Sequence, residues 1–407
     1  MRLSSLASLS ILLYCNISPV TSSSFSAAIC SSSTSSAVPD PIDVGYRAIS
    51  KLISQPFTAD LWSWAYGPAI QMSTMYQISH DFPGCDFTSV LNDRLDSFIN
   101  DNTSVAYAVL HNITLPFDTA IGDRIGLMPI AYLSRFDYYN ESTSNSINWE
   151  IATKIADQYI YHWPHFLPDG TISRDSGWPN QPDKNASFLW CDDQFMGTTL
   201  LSRLIMHNSS NSNNYADFIA KQQIQFAKYQ QDTDGLFWHG YNYATDTVSC
   251  CKWGRANGWV MMSHAEIVPV LASINHPLLP QIITIWQNQA AGLAAVQNTT
   301  DGRWHQVLDH PETFLETSVT SMTLYSLITG VMGGWLDRTK YDPVIQTAWL
   351  GLASTVQLDG TVNGISCGTG IGTDVTFYQE RPTNWTESAP GLGSVFRACR
   401  AYWEYSQ

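Results

Sequence analysis

Apolar residues recur at three- and four-residue intervals along most of the chain, the period of a helix with one buried face. The pattern predicts helices near 41–54, 64–80, 87–100, 123–136, 147–163, 190–206, 214–230, 256–273, 278–296, 316–330, 335–356 and 391–405. Between them stand Gly, Pro, Asn and Asp clusters such as Leu167-Pro168-Asp169-Gly170 and Asp232-Thr233-Asp234-Gly235, the residue types that turns demand. No sustained period-2 alternation is found, and a short strand is expected only around Asp359-Gly360-Thr361-Val362. With no linker after residue 40, this series predicts one all-α domain over 41–407. Such a count suits six helical hairpins closed into a toroid, and it also suits an open solenoid. Two features favour the toroid. No sequence repeat of fixed period stands out, and chemistry-prone residues gather at helix starts, which a closed ring collects around one pocket.

The N-terminus departs from this pattern. Met1-Arg2-Leu3, an apolar run through Ile11-Leu12-Leu13-Tyr14, and then Ser and Ala read as a secretory signal peptide over 1–22. A Ser/Thr-rich linker over 23–40 follows. Later apolar runs are too short to span a membrane. Asn-x-Ser/Thr sequons at Asn102, Asn112, Asn140, Asn185, Asn208, Asn298 and Asn384 extend the expectation to a secreted, extracellular glycoprotein. Beyond the signal stand Cys30, Cys85, Cys191, Cys250, Cys251, Cys367 and Cys399. Disulfides suit that compartment, but the pairing is not readable from sequence. The spacing of His and Cys fits no zinc site.

Of the 407 residues only 14% are charged, and 35 acidic against 20 basic residues leave a net charge of −15. That balance excludes a basic nucleic-acid surface and disfavours docking on anionic membranes. Trp, Tyr and Phe reach 12%, which suits a protein offering ring faces and hydrogen-bonding edges to a polar ligand. A soluble monomer is expected.

Four segments carry candidate chemistry. In Trp190-Cys191-Asp192-Asp193-Gln194-Phe195-Met196, two carboxylates open a predicted helix. Asp is a favoured helix cap, and a pocket Asp is also a general acid/base. Neighbours on a helix point about 100° apart, so one Asp is left to act and the other to cap or support. In Cys250-Cys251-Lys252-Trp253-Gly254-Arg255-Ala256-Asn257-Gly258-Trp259, an arginine between indoles suits a sugar carboxylate. Charge-assisted bonds of that kind contribute roughly 1.5–3 kcal/mol each. The same residues also serve loop packing, and His239 equally suits a satisfied core histidine. The third segment runs from Asp301-Gly302-Arg303-Trp304-His305-Gln306 to Glu316-Thr317-Ser318, where Glu316 is a candidate helix-start charge. Gly122-Asp123-Arg124 supplies either a cap or a second pocket carboxylate.

Together, Trp-Cys-Asp-Asp-Gln-Phe-Met, Trp-Gly-Arg-Ala-Asn-Gly-Trp, Asp-Gly-Arg-Trp-His-Gln-Val-Leu-Asp and Leu-Glu-Thr-Ser resemble glycoside hydrolase family 105 over roughly residues 45–405. These are the unsaturated rhamnogalacturonyl hydrolases, close to the unsaturated glucuronyl hydrolases of family 88. The resemblance implies an (α/α)6 barrel and no metal or organic cofactor. It places the catalytic carboxylate on Asp192 with Met196 one turn along, and a second pocket carboxylate on Asp123. It also implies substrate contacts at His239, Arg255 and Trp259, pocket lining by Trp190 and Trp253, and an early aromatic contact at Trp64 or Tyr66. The implied substrate is an oligosaccharide ending in a 4,5-unsaturated uronate, with rhamnogalacturonan fragments of pectin foremost. Two rivals are an inverting glycosidase on the same toroid and a non-catalytic sugar binder. A neutral mannoside would leave the guanidinium in the arginine segment without a carboxylate, which disfavours the first.

Overall fold

The computed structural model describes residues 38–56, 62–82, 84–115, 127–174, 187–207, 212–381 and 389–407. The expected signal peptide, most of the linker, and Asp123 with Arg124 lie outside them. In chain order the helices are α1 (Pro41–Ile53), α2 (Tyr66–Asp81), α3 (Thr88–Asn100), α4 (Val105–Leu110), α5 (Pro129–Tyr138), α6 (Ile147–Ile155), α7 (Asp193–Met196) and α8 (Thr199–Met206). Then follow α9 (Ser212–Gln230), α10 (Gly254–Ser273), α11 (Leu279–Ala295), α12 (Thr317–Met332), α13 (Arg338–Ser354), α14 (Val375–Gln379) and α15 (Ala389–Tyr405).

Outer and inner helices alternate. α2 packs on α5, α5 on α8, α8 on α10, α10 on α12, α12 on α15, and α15 returns to α2, closing an inner ring. α1, α3, α6, α9, α11 and α13 lie outside it. Burial explains the division. α12 buries all its residues except Tyr325, Thr329 and Met332, as a helix enclosed on every side must. Outer α1 buries one stripe, Val44, Ala48, Ile49 and Leu52, and exposes the rest of its length more freely. The arrangement is the six-hairpin toroid expected from the sequence.

Several boundaries differ from the periodicity. The 190–206 run begins as a strand and is interrupted at Gly197-Thr198. The 147–163 run ends as a π-helical turn over Ala156–Tyr161. α4 and α14 were not expected. Nor were the antiparallel strands β1 (Phe188–Trp190), β2 (Gly240–Asn242) and β3 (Thr247–Val248), paired Trp190↔Gly240 and Tyr241↔Val248. β4 (Trp304–His305) pairs with β5 (Leu315–Glu316). At two or three residues each, these strands are too short for alternation to register. The strand expected near 359–362 reduces to a bridge between Val356 and Val362.

The chain also holds an internal repeat that the search for a fixed period passes over. After α6, α9, α11 and α13 comes an Asp-Gly turn, at Gly170, Gly235, Gly302 and Gly360, spaced by roughly sixty residues. Each of these glycines has φ between 84° and 86°. Each turn leans on the next outer helix. Gln222 of α9 donates to the Gly170 carbonyl at 2.8 Å. A Cβ on Gly302 would stand 2.1 Å from the Thr347 carbonyl of α13, so φ and space both demand glycine there. The last turn returns to the first helix: a Cβ on Gly360 would stand 2.1 Å from the Arg47 carbonyl, and Arg47 Nη1 donates to Gln357 O at 2.8 Å.

One carboxylate ties the inner ring together. Glu266 of α10 accepts from Arg203 of α8 at 3.2 Å, from Arg397 of α15, and from Tyr325 of α12 at 3.2 Å. Arg203 reaches Ser73 of α2 at 3.0 Å and Ser134 of α5 at 3.5 Å, so all six inner helices join the network. Burial alone would raise the Glu266 pKa, but Arg397 and Arg203 outweigh it and hold the carboxyl below its usual range. Among the described residues no helix is long and apolar enough to cross a membrane.

Candidate active site

The starts of inner helices and the loops before them meet at one end of the ring. Asp192 stands immediately before α7, and its neighbour Asp193 is its opposite in environment. Asp193 is fully buried and takes both donors of Arg174, Nε at 2.8 Å and Nη2 at 2.7 Å. Arg174 in turn lies over the Trp190 ring at 4.5 Å. The bidentate pair commits Asp193 to structure. Asp192 keeps 8% exposure, and its Oδ2 lies 3.6 Å from His239 Nε2, too far for a hydrogen bond.

His239 follows the tight turn after α9 and precedes β2. Its Nδ1 is 2.7 Å from Tyr378 Oη, which already accepts Gly372 N–H at 3.0 Å. With the phenol giving its own hydrogen to Nδ1, the assignment that leaves the phenol hydrogen paired, the ring proton is on Nε2, facing Asp192. Burial, with Arg174 and Arg255 adding repulsion, pulls the His239 pKa down to about 3, so the ring is neutral at ordinary pH. Tyr378 lies on α14, a short helix that carries no periodic signal, so nothing in the sequence marks it.

Trp253 caps α10 and Arg255 occupies its first turn, 1% exposed. Arg255 stacks on Trp253 with Cζ 4.8 Å from the ring centre. Its Nη1 donates to Ser366 O at 2.7 Å and to Ser318 Oγ at 3.4 Å, and lies 4.0 Å from Glu316 Oε1. Glu316 itself caps α12, accepting from Val319 N at 2.7 Å and Ser366 N at 2.8 Å. Arg255 Nη2 is left with no acceptor among the described residues.

Nη2 is one of many buried polar atoms without a partner among the described residues, and three of the others stand beside it at this end of the ring: Trp190 Nε1, His239 Nε2 and Trp253 Nε1. The rings carrying them are contiguous, Trp190 to His239 at 5.4 Å and His239 to Trp253 at 4.9 Å. An unsatisfied buried donor costs roughly 1–3 kcal/mol. Four together, beside a carboxylate, describe a cradle for an acceptor-rich and anionic ligand.

The other expected contacts are dispersed. Met196 is buried one turn beyond Asp192. Trp259 is 1% exposed and packs on Phe195 at 5.1 Å and Tyr66 at 5.8 Å, so its faces are taken by protein rings. Tyr66 thus adjoins the site through Trp259, whereas Trp64 packs on Phe98 and Tyr132. Among the described residues no group of three or more His, Cys, Asp or Glu could hold a metal ion. Cys250 and Cys251 are bonded to each other, Cys85 and Cys367 are also disulfide-bonded, and Cys191 and Cys399 are buried free thiols.

Comparison with known proteins identifies the family and the fold. An unsaturated rhamnogalacturonyl hydrolase of Bacillus subtilis is 24% identical over 268 residues, 64% of this chain and 73% of the relative. An unsaturated 3S-rhamnoglycuronyl hydrolase of Formosa agariphila is 26% identical over 58% of this chain and 63% of its own length. A family 105 glycoside hydrolase from C. acetobutylicum superposes with a TM-score of 0.71 at 22% identity, covering 89% of this chain and 99% of that one. The unsaturated glucuronyl hydrolase of Bacillus sp. GL1 gives 0.59 at 12% identity over 89% and 94%. The sequence profile of Glycosyl Hydrolase Family 88 matches residues 51–399, and the chain belongs to that family of glycoside hydrolases.

Proposed function

We propose that this hydrolase removes a 4,5-unsaturated uronate from the non-reducing end of lyase-generated oligosaccharides, foremost those of rhamnogalacturonan. The observation that carries the reading is the set of four unpartnered buried donors around Asp192. The uronate carboxylate takes Arg255 Nη2, and ring oxygens or hydroxyls take His239 Nε2–H and the indole N–H groups. Asp192, as the acid, gives its proton to C4 of the enol ether, and positive charge develops at C5 and the ring oxygen. The Asp192 carboxylate then removes a proton from the water that adds at C5. The resulting hemiketal opens to a C5 ketone, and the hemiacetal left at C1 expels the next sugar as an alcohol. A single carboxylate serves both halves, whereas ordinary glycosidases need two across the anomeric carbon. Asp123 is proposed as a second pocket carboxylate on the family resemblance alone.

The test is ultraviolet absorbance on a panel of unsaturated oligosaccharides, with saturated counterparts assayed for released sugar. Loss of the enol-ether band together with sugar release, only on unsaturated members, is expected. Release from a saturated glycan with the band unchanged would put an inverting glycosidase in its place.

Secretion is proposed on the N-terminal apolar run and on the sequons, of which Asn102, Asn112 and Asn140 are exposed. A mass decrease on treatment of the secreted protein with an N-glycan amidase checks it.

A further inference from the structure

Two adjacent cysteines joined to each other stand at the edge of the site, and the activity as described makes no use of them. Cys250 and Cys251 close a covalent ring around their shared peptide, with Sγ atoms 2.13 Å apart. This ring touches two of the supports of His239, whose own carbonyl is held separately by Cys191 N–H at 3.2 Å and Gln230 Nε2 at 3.4 Å. The Cys251 carbonyl accepts the His239 backbone N–H at 3.2 Å and the Ser249 hydroxyl at 3.2 Å. On the other side, Cys250 Sγ rests 3.5 Å from the Gly372 carbonyl, and the N–H of the same Gly372 holds the Tyr378 hydroxyl that fixes the imidazole. Arg255 is anchored separately, since Gly254 N–H donates to Gln306 O at 2.7 Å and Lys252 N–H to Asp309 Oδ1 at 3.1 Å. The disulfide therefore bears on the imidazole more than on the guanidinium.

Access is asymmetric in a way that suits reversible chemistry. Cys251 is buried while Cys250 is partly exposed, so of the two sulfurs Cys250 Sγ is the one an external thiolate would approach. The nearest free thiol in the same apolar cluster, Cys191, is fully buried, and burial with the adjacent Asp192 and Asp193 carboxylates keeps it protonated and a poor internal nucleophile.

We propose that Cys250–Cys251 is a thiol–disulfide modification site that sets substrate affinity by positioning His239, an inference that rests on the reading of His239 as a substrate contact. A dithiol reductant attacks Cys250 Sγ, the protein S–S bond breaks, and Cys251 leaves as a thiolate and takes a proton. The reductant's second thiol then resolves the mixed disulfide, forming the reductant's own disulfide and releasing Cys250 as a thiol. Two electrons and two protons pass to the protein pair. The 250–251 peptide then turns freely, and the Cys251 carbonyl no longer holds the His239 backbone in place. A displacement of about 1 Å at a substrate-positioning group can cost up to 10²-fold.

The experiment uses the full chain, oxidised and after treatment with dithiothreitol. Peptide mapping of the untreated protein should show the 250–251 disulfide, and a biotinylated trivalent arsenical should capture the protein only after reduction. On the unsaturated oligosaccharide, KM should rise roughly tenfold or more on reduction, with kcat changing far less and the melting transition still cooperative. C250S/C251S should show the raised KM without reductant and no further change with it. An unchanged KM after verified reduction overturns the proposal. So does an equal reductant effect in the double variant, which would assign the response to another disulfide. If that variant does not fold, reduced and reoxidised wild type decide, because recovery of KM on reoxidation is expected and its absence counts against the idea. Failure of the functional reading looks different: the oxidised enzyme would neither turn over nor, as D192N, bind any unsaturated member of the panel, whatever the mapping shows.

Discussion

Replacing Asp192 by Asn should lower turnover by about 10²–10⁴-fold and leave the melting temperature close to wild type, measured by the absorbance assay and by calorimetry. Asp193→Asn should show the converse signature. It removes the negative charge from the buried bidentate pair with Arg174, so a stability loss of up to about 3–5 kcal/mol is expected from urea unfolding, with any loss of activity following from that. Residue spacing alone left the pair as two carboxylates with one role between them, and only the family resemblance put that role on Asp192. The deciding residue, Arg174, lies about twenty positions upstream and is joined to Asp193 only by the fold. Tyr378 and Gly372, which fix the His239 tautomer, were equally out of reach. pH adds a third expectation at this scale. His239 and His264 are buried with pKa values lowered to about 3, chiefly by burial. Between about 6.5 and 3 the unfolded chain binds protons that the native state refuses, so stability is lost as pH falls through that window. Each ring contributes up to about 1.4 kcal/mol per pH unit. His264 is not at the site, and His264→Leu should shrink the drop in urea midpoint between pH 7 and pH 4.5. An unchanged drop would assign the acid sensitivity elsewhere.

At the scale of elements, periodicity recovered the long helices because each must bury a stripe or a whole circumference. It missed pieces held by something other than their own pattern. β1, β2 and β3 exist because Trp190, His239 and the hairpin beyond them pack across the mouth of the ring, and α14 exists because its Asp374 cap and Tyr378 anchor close a loop. The Asp-Gly turns are the instructive case. Asp169-Gly170, Asp234-Gly235 and Asp301-Gly302 were visible as turns while Asp359-Gly360 was expected as strand, and their recurrence is only one dipeptide in roughly sixty residues. The structure gives that dipeptide a common task, and Gly302→Ala should cost at least about 1–3 kcal/mol in chemical denaturation. An Ala at Gly170, where a Cβ meets nothing within 4 Å, should cost less because only φ opposes it. Equal costs at the two positions would mean that the close approach to Thr347 contributes nothing.

For the molecule as a whole, the Glu266–Arg203 network links all six inner helices. Glu266→Gln takes the counter-charge from buried Arg397 and partly buried Arg203 and should lower stability by about 3–5 kcal/mol, read as a single cooperative melt moved downwards. A broadened or split transition would mean that the hairpins unfold independently. The six-hairpin count was readable from the sequence and closure was favoured there over an open solenoid, but the contacts that close the ring were not, because they form between its first and last helices. There the Gly360 turn sits on Arg47, Trp349 Nε1 donates to Pro39 O at 3.2 Å, and α15 lies against α1 and α2. That seam has a consequence for biosynthesis. As the chain leaves the ribosome, α2 offers a surface meant to be enclosed, and its partner α15 is made after every other helix of the ring. Each earlier hairpin can dock on its predecessor, but the first waits for nearly the whole of translation with one flank bare. Contacts between the ends of a chain form slowly, and exposed apolar surface in the interval invites aggregation. A stalled ribosome near residue 360 would therefore release an open horseshoe with two sticky ends, so the burden of keeping this protein soluble falls on whatever shelters its first hairpin.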